Sequence, residues 1–356
     1  MIEDIFTFRA WFSNTNLIVI VIAALSGIFA FTQNNLRSGK TQTLFLALAL
    51  AALMIFRLGC LPIGWGFSYD RENYANGFLF IKQFGYHFSF DGKDPLWGVI
   101  MQAISFFGDA EFFFICQSAI YIGVYFFACR RFARNNVYWL LIASVASLAF
   151  TTYGVNTIRA GIAIAFIFAG LSFKDKKIVM YAFFVCSLLV HLSMIIPISM
   201  LLISSRYNET KLYVYVWVVA LVLSFVVGNT FNSIFSTFIE DDRAASLTQH
   251  NASYKQGFRW DFVVYSLAPI IVGGYYIIKR KYHDKFYLMM FNAYILTNSF
   301  WVLVIRANFT DRFAYLSWFM MPIVLVYPLL QRDAPVKRPN YWLAIILLGE
   351  AAFKMI

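Results

Sequence analysis

Long apolar runs recur along this 356-residue chain, and no other feature limits its fold as sharply. They fall at about 17–33, 41–57, 111–129, 137–153, 157–173, 178–203, 211–228, 261–279, 286–305, 313–330 and 341–354. A bilayer's hydrocarbon core takes roughly 20 residues of helix to cross. In lipid the backbone must satisfy its own hydrogen bonds, so runs of this kind are helices. The expected fold is therefore all-α: a polytopic transmembrane bundle of about 10–12 spans plus short re-entrant or interfacial helices. It is read as one integral membrane domain over residues 1–356.

Composition agrees, with 61% hydrophobic and only 13% charged residues. A soluble domain is nearer half apolar and a quarter charged. The net charge of +11 does not call for nucleic acid, because cytoplasmic loops of membrane proteins collect Lys and Arg. It also suits anionic lipid or a phosphate-bearing substrate. Cys60, Cys116, Cys129 and Cys186 lie in or beside apolar runs without metal spacing and read as small core residues. The acidic start "MIEDIFTFRAWF" does not look like a cleaved signal peptide.

The Lys/Arg clusters "RSGK" (37–40), "RRFAR" (130–134), "KDKK" (174–177), "KRKYHDK" (279–285) and "RDAPVKR" (332–338) fit one cytoplasmic side if the N-terminus is outside. That arrangement puts 58–94, 154–156, 229–259 and 306–312 on the outer face. It also makes "PLWGVIMQAISFFG" (95–108) an interfacial or re-entrant helix, since a full crossing would flip everything before it. The run 178–203 is longer than one span needs and carries His191 and Pro197, so a hairpin with His191 at its tip fits better.

Ionisable side chains at membrane depth are costly, and each is a candidate for function. Arg159, in "NTIRAGIAIAF", either snorkels to headgroups or binds an anion beside Asn156 and Thr157. His191, in "HLSMIIP", is either a packing residue or a proton acceptor, imidazole being suited to general-base work near neutral pH. Arg306, Asp311 and Arg312 share a short outer loop, where they are either a weak surface pair or part of a site. "ASYKQGFRWDF" (252–262) repeats the theme with Lys255, Arg259 and Asp261, and an ordinary headgroup anchor is an equal reading. Arg159, Arg259, Arg306 and Arg312 thus gather on the outer side from four regions. The guanidinium fork matches two phosphate oxygens. No DxD triplet accompanies them, so neither a metal nor another cofactor is expected, and the chemistry suggested is a pyrophosphate held by arginines.

"GFSYDRENYANGF" (66–78) packs three consecutive charges among aromatic residues. In a helix Asp70 and Tyr74 share a face, and Asp70 would cap its N-terminus or sit in its first turn. One reading is an amphipathic loop helix anchored by Phe67, Tyr69, Tyr74 and Phe78 at headgroup depth. The other is a site wall, with Asp70 and Tyr74 contacting sugar hydroxyls. Arg71 and Glu72 are read as facing water. Downstream, "DGKDPLWG" adds Asp91, Asp94 and Pro95 in a turn leading to the short helix.

Taken in order, "YDRENYANGF", "DPLW", "NTIRAGIAIAF", "HLSMIIP" and "DRFAYLSWF" resemble the EpsG family of Wzy-type polymerases of bacterial O-antigen, capsule and exopolysaccharide repeat units, over roughly 60–330. The resemblance implies a fold like that of the GT-C glycosyltransferases. It also implies an inverting, metal-independent transfer at the outer face of the inner membrane. A glycan on undecaprenyl pyrophosphate would move onto another lipid-linked repeat unit, and a chain-length regulator is a possible partner. By the same resemblance His191 and Asp70 are the catalytic candidates. Arg159 and Arg312 match the family's arginines and Tyr74 its loop motif, and these are substrate-binding candidates; Arg306 and Arg259, from this sequence alone, and Tyr315 and Asp94 are added to them. The late loop 229–259, with Glu240, Asp241, Asp242 and Arg243, is modest for such an enzyme; it either covers the acceptor side or is a simple solvated loop, the latter being preferred. A flippase would also need arginines for pyrophosphate, although no internal repeat is visible. An O-antigen ligase would share donor and chemistry.

Overall fold

The computed structural model describes residues 2–33, 36, 40–64, 68–89, 94–238, 257–307 and 309–355, and among these there is helix and no strand. Two compact units are present, one of residues 1–195 with 329–356 and one of 196–328.

The first unit holds α1 (Ile2–Thr32), α2 (Lys40–Gly59), α3 (Tyr69–Phe84), α4 (Pro95–Ser105), α5 (Ala110–Ala133), α6 (Val137–Ala146), α7 (Leu148–Val155), α8 (Ile158–Ser172) and α9 (Lys177–Val190), and closes with α16 (Pro339–Phe353). Here α1 packs along α16, α2 along α5, and α5 and α9 both along α8. The second unit contains α10 (Ile195–Arg206), α11 (Thr210–Phe238), α12 (Trp260–Gly274), α13 (Lys285–Leu303), α14 (Thr310–Trp318) and α15 (Met321–Leu330). Its interior carries a polar network: Trp217 Nε1 donates to Asn298 Oδ1 (2.7 Å), and Asn298 Nδ2 to Ser266 Oγ (3.1 Å) and Ser317 Oγ (3.0 Å). Buried polar groups persist when partnered in this way.

Among the described residues, six stretches are long and apolar enough to cross a membrane: Thr7–Thr32, Gln42–Gly59, Ala110–Ala146, Trp260–Lys279, Lys285–Leu303 and Thr310–Leu330. The pair Leu148–Val155 and Ile158–Ser172, bent by 120°, makes a seventh if counted as one broken span. Shorter apolar helices cover Pro95–Ser105, Lys177–Val190, Leu192–Arg206 and Thr210–Val226. The 11 residues of α4 rise only about 16 Å, half the hydrocarbon thickness. The protein is a multi-pass helical membrane protein.

Several local expectations need correction. The run 137–153 is broken at Ser147, whose backbone is extended (φ −61, ψ 149) and whose hydroxyl donates to Ser144 O at 2.7 Å. Such local side-chain bonds compete with helix continuation. Lys354 completes the break, its Nζ donating to Ser147 O (3.2 Å) and Thr151 Oγ1 (3.0 Å). α11 runs on to Phe238, so the first part of the expected loop 229–259 is helix. Glu240, Asp241, Asp242 and Arg243 lie outside the described residues, as do Lys255, Phe67 and Asp91. Phe78 is fully buried against Phe113 (ring centroids 4.8 Å) and serves the core, not the headgroup layer.

The fold-back of α8 on α7 depends on one glycine. A Cβ at Gly161 would stand 2.4 Å from the Tyr153 carbonyl oxygen, a backbone atom that cannot rotate away. Gly161→Ala is therefore expected to cost about 1–3 kcal/mol. Thermal unfolding in detergent should show a clearly lowered midpoint.

Candidate functional site

The first unit brings three of the expected residues into contact. Asp94 is the residue before Pro95, at the N-terminal end of α4, in the left-handed region (φ 56, ψ 55). Asp is among the few residues that visit this region readily, but a following proline disfavours it further. Its carboxylate does not cap α4. It reaches the other helices instead: Oδ1 accepts the Leu192 N–H at 3.1 Å, and Oδ2 accepts a close charged hydrogen bond from Arg159 Nη1. Strained backbone at such a position points to a function for the side chain it presents.

Arg159 is in the first turn of α8, just past the fold-back at Asn156 and Thr157. Its Nε is buried without a hydrogen-bond partner among the described residues. A cation there is unfavourable to the helix dipole, so an anion is needed nearby, and Asp94 provides one. His191 ends α9 as its C-cap in an extended conformation, its N–H bonded to Ser187 O at 2.9 Å. Ser187 Oγ in turn donates to Ala163 O at 2.8 Å, pinning α9 to α8. His191 Nδ1 stands 3.5 Å from Asp94 Oδ2, longer than a good hydrogen bond. That nitrogen is buried and has no hydrogen-bond partner among the described residues. Side-chain exposure is 7% for Asp94, 18% for Arg159 and 22% for His191, so the cluster is shielded yet reachable.

Electrostatics follow the geometry. Burial raises the Asp94 carboxyl, but His191, the Arg159 charge and the Leu192 N–H more than offset it and hold the group below the ordinary carboxylate range. Asp94 is thus a carboxylate at neutral pH. Its ties contribute stability above the unfolded value of about 3.9, which is lost only as pH falls through the depressed folded value. Tyr86, in the segment before α4, has its hydroxyl raised by burial and then by the Asp94 charge. Its ring fills the space over Gly98, where a Cβ would meet it at 2.2 Å.

Tyr74 joins the cluster, its ring 5.8 Å from Arg159 Cζ. An aromatic chain through Trp97 (5.7 Å from Tyr74) to Phe113 (5.7 Å from Trp97) fixes that ring. Asp70, in the first turn of α3, is near enough for its charge to act on Arg159. Asp70 is not the N-cap; Ser68 is, its Oγ accepting the Arg71 N–H.

Arg71 does not face water. It is 1% exposed, and its guanidinium donates to Leu58 O (3.4 Å), Gly59 O (3.1 Å) and Leu61 O (2.6 Å) while stacking 3.7 Å over Phe114. Burial pushes its pKa down to about 9, so it is charged at neutral pH. It clamps the C-terminal carbonyls of α2, which helices otherwise leave unpaired. Glu72 is half-buried.

The remaining candidates lie in the second unit. Arg259, the N-cap of α12, forms a two-pronged pair with Asp261 (2.9 and 2.6 Å) and lies 3.5 Å over Phe262. Arg306 is half-buried, 5.8 Å from the Phe258 ring, and its Nε is buried without a hydrogen-bond partner among the described residues. Arg312 is exposed beside Phe309 (4.9 Å), and Tyr315 is half-buried against Trp318 (5.6 Å). The sequence does not mark Tyr86, and it leaves Arg71 read as a water-facing residue. A tyrosine in a loop and an arginine beside two acids carry no pattern that marks them.

These features define a polytopic helical membrane protein with a buried carboxylate shared by an arginine and a histidine. The model of the EpsG family matches residues 49–353, and the chain belongs to that family. The family is one of Wzy-like polymerases, which suggests a membrane polysaccharide polymerase. No curated protein and no solved structure is significantly similar to the chain.

Proposed function

We propose that this protein is an inverting polysaccharide polymerase of the bacterial inner membrane, transferring a glycan from undecaprenyl pyrophosphate to a second lipid-linked repeat unit at the outer face. The observation that carries the reading is the meeting of Arg159 and His191 on Asp94. One cation can hold a pyrophosphate oxygen, and one imidazole can take a proton. The acceptor hydroxyl oxygen attacks the anomeric carbon from the face opposite the leaving group. The bond from that carbon to the pyrophosphate oxygen breaks, its electron pair leaves with the pyrophosphate, and the hydroxyl proton passes to His191 Nε2. With Nδ1 turned toward Asp94, Nε2 is the nitrogen left for the acceptor. Arg159 stabilises charge growing on the leaving group, with arginine and no metal as the proposed counter-charge.

This reading favours His191 over Asp70 as the base, because only His191 has a carboxylate behind its ring. Asp70 and Tyr74 then serve as sugar contacts on α3. Arg306 is the stronger phosphate candidate in the second unit, having an unpartnered Nε, whereas Arg259 is already paired to Asp261. Arg312 and Tyr315 are retained as substrate contacts.

The test is glycan gel analysis of a deletion strain carrying either the wild-type gene or His191→Gln. The wild-type gene should restore the long-chain ladder. His191→Gln should leave single repeats on the surface, with turnover down about 10²–10⁴-fold. A normal ladder from His191→Gln would remove it as the base. Accumulation of the lipid-linked unit on the cytoplasmic side of the deletion strain would indicate a flippase instead.

A further inference from the structure

The sequence reading makes Asp94 a substrate contact, and its position also fits a second task. A single oxygen, Oδ2, faces both Arg159 Nη1 and His191 Nδ1, closely on the arginine side and at 3.5 Å on the histidine side. The other oxygen is held by the N–H of Leu192, the residue next to His191. The carboxylate is therefore anchored at the histidine end and lent to the arginine. Each recipient also keeps an unsatisfied buried nitrogen, Nε on Arg159 and Nδ1 on His191.

We propose that Asp94 is a positioning residue that passes from Arg159 to His191 when a pyrophosphate donor occupies the arginine. The inference rests on the donor site proposed above. Without donor, Asp94 neutralises Arg159 and leaves the imidazole poorly held. A donor phosphate takes over the Arg159 fork, and Oδ2 pivots about the Leu192 anchor to close on Nδ1–H. The exchange breaks one charged hydrogen bond and makes two, one from Arg159 to phosphate and one from His191 to Asp94. The ring is then fixed with Nε2 toward the acceptor only while donor is bound. An idle enzyme keeps its base unaligned. The other charged or titratable groups around this exchange are Asp70 and Tyr74 on α3 and Tyr86 before α4.

Asp94→Asn separates the possibilities, because Asn accepts the left-handed backbone as well as Asp does and keeps one oxygen for the Leu192 N–H, while the charge and the acceptor facing Arg159 and His191 are lost. A carboxylate that competes with donor for Arg159 should, once removed, leave purified protein in nanodiscs binding farnesyl pyrophosphate about tenfold or more tightly. Turnover should nevertheless fall at least a hundredfold, since the imidazole loses its orienting partner. Asp94→Gly, also suited to the left-handed region, provides the same measurement should the Asn protein unfold. Adding Arg159→Ala should abolish the gain in affinity. Weaker or unchanged binding by the Asp94 variants, with wild-type binding intact and dependent on Arg159, would overturn the hand-over and leave the donor site standing. Failure of the wild-type protein to bind farnesyl pyrophosphate, or equal binding by Arg159→Ala, would overturn the donor site and the hand-over with it.

Discussion

Replacing Arg159 with lysine should reduce polymerase turnover about a hundredfold while leaving the fold nearly as stable. Replacing it with alanine should lower both. On the proposed function Arg159 has two roles, and the pair of variants separates them. Its charge neutralises Asp94, which is buried at 7% side-chain exposure. Removing one partner of a buried pair leaves an uncompensated charge and typically costs about 3–5 kcal/mol, so Arg159→Ala should show a depressed unfolding midpoint. Lysine keeps a counter-ion for Asp94 but is a point charge without the planar fork that spans two phosphate oxygens. The unpartnered Nε of Arg159 supports a second prong being kept for a ligand. The measurement is initial-rate polymerisation in nanodiscs beside thermal unfolding of the same preparations. Wild-type turnover from Arg159→Lys would mean that charge alone suffices. Wild-type turnover from Arg159→Ala would remove the phosphate role altogether.

How far the sequence discloses this site depends on the range of each contact. Apolar runs predict helices because each run's backbone and lipid-facing side chains determine its conformation locally. The charged and polar candidates Arg159 and His191 stand out for the same reason, being costly where they lie. What they touch is a different matter. Asp94 lies 65 positions from Arg159 and 98 from Leu192, and nothing in "DPLW" says which helices its carboxylate meets. The break at Ser147 is equally hidden, since the lysine that completes it is 207 positions away. In the stretch "YDRENY" the error is of burial. A charged triplet reads as solvated, yet a helix turns successive side chains about 100° apart, and Arg71 points into the unit toward α2 and α5.

Arg71 should accordingly be a highly sensitive position for stability in the first unit. Its guanidinium meets two carbonyls at the end of α2 and that of Leu61 just beyond, two of the three at 3.1 Å or less, and lies over Phe114. Arg71→Met fills similar volume but leaves those carbonyls without their donor. Each orphaned buried acceptor costs roughly 1–3 kcal/mol, and the lost stacking adds about 0.5–2 kcal/mol. These losses overlap rather than add, and breaking a buried charged contact typically costs about 3–5 kcal/mol, a large share of the roughly 5–15 kcal/mol that holds a typical domain together. Arg71→Lys should rescue only part of it, because an ammonium cannot donate along the same plane while stacking on the ring. The check is yield of folded protein in detergent and the unfolding midpoint of both variants. Folded Arg71→Met should also lose turnover, since α3, which carries Asp70 and Tyr74, is fastened to α2 through this side chain. An Arg71→Met protein as stable as the wild type would show that α3 is held by its aromatic packing on α4 and α5 alone.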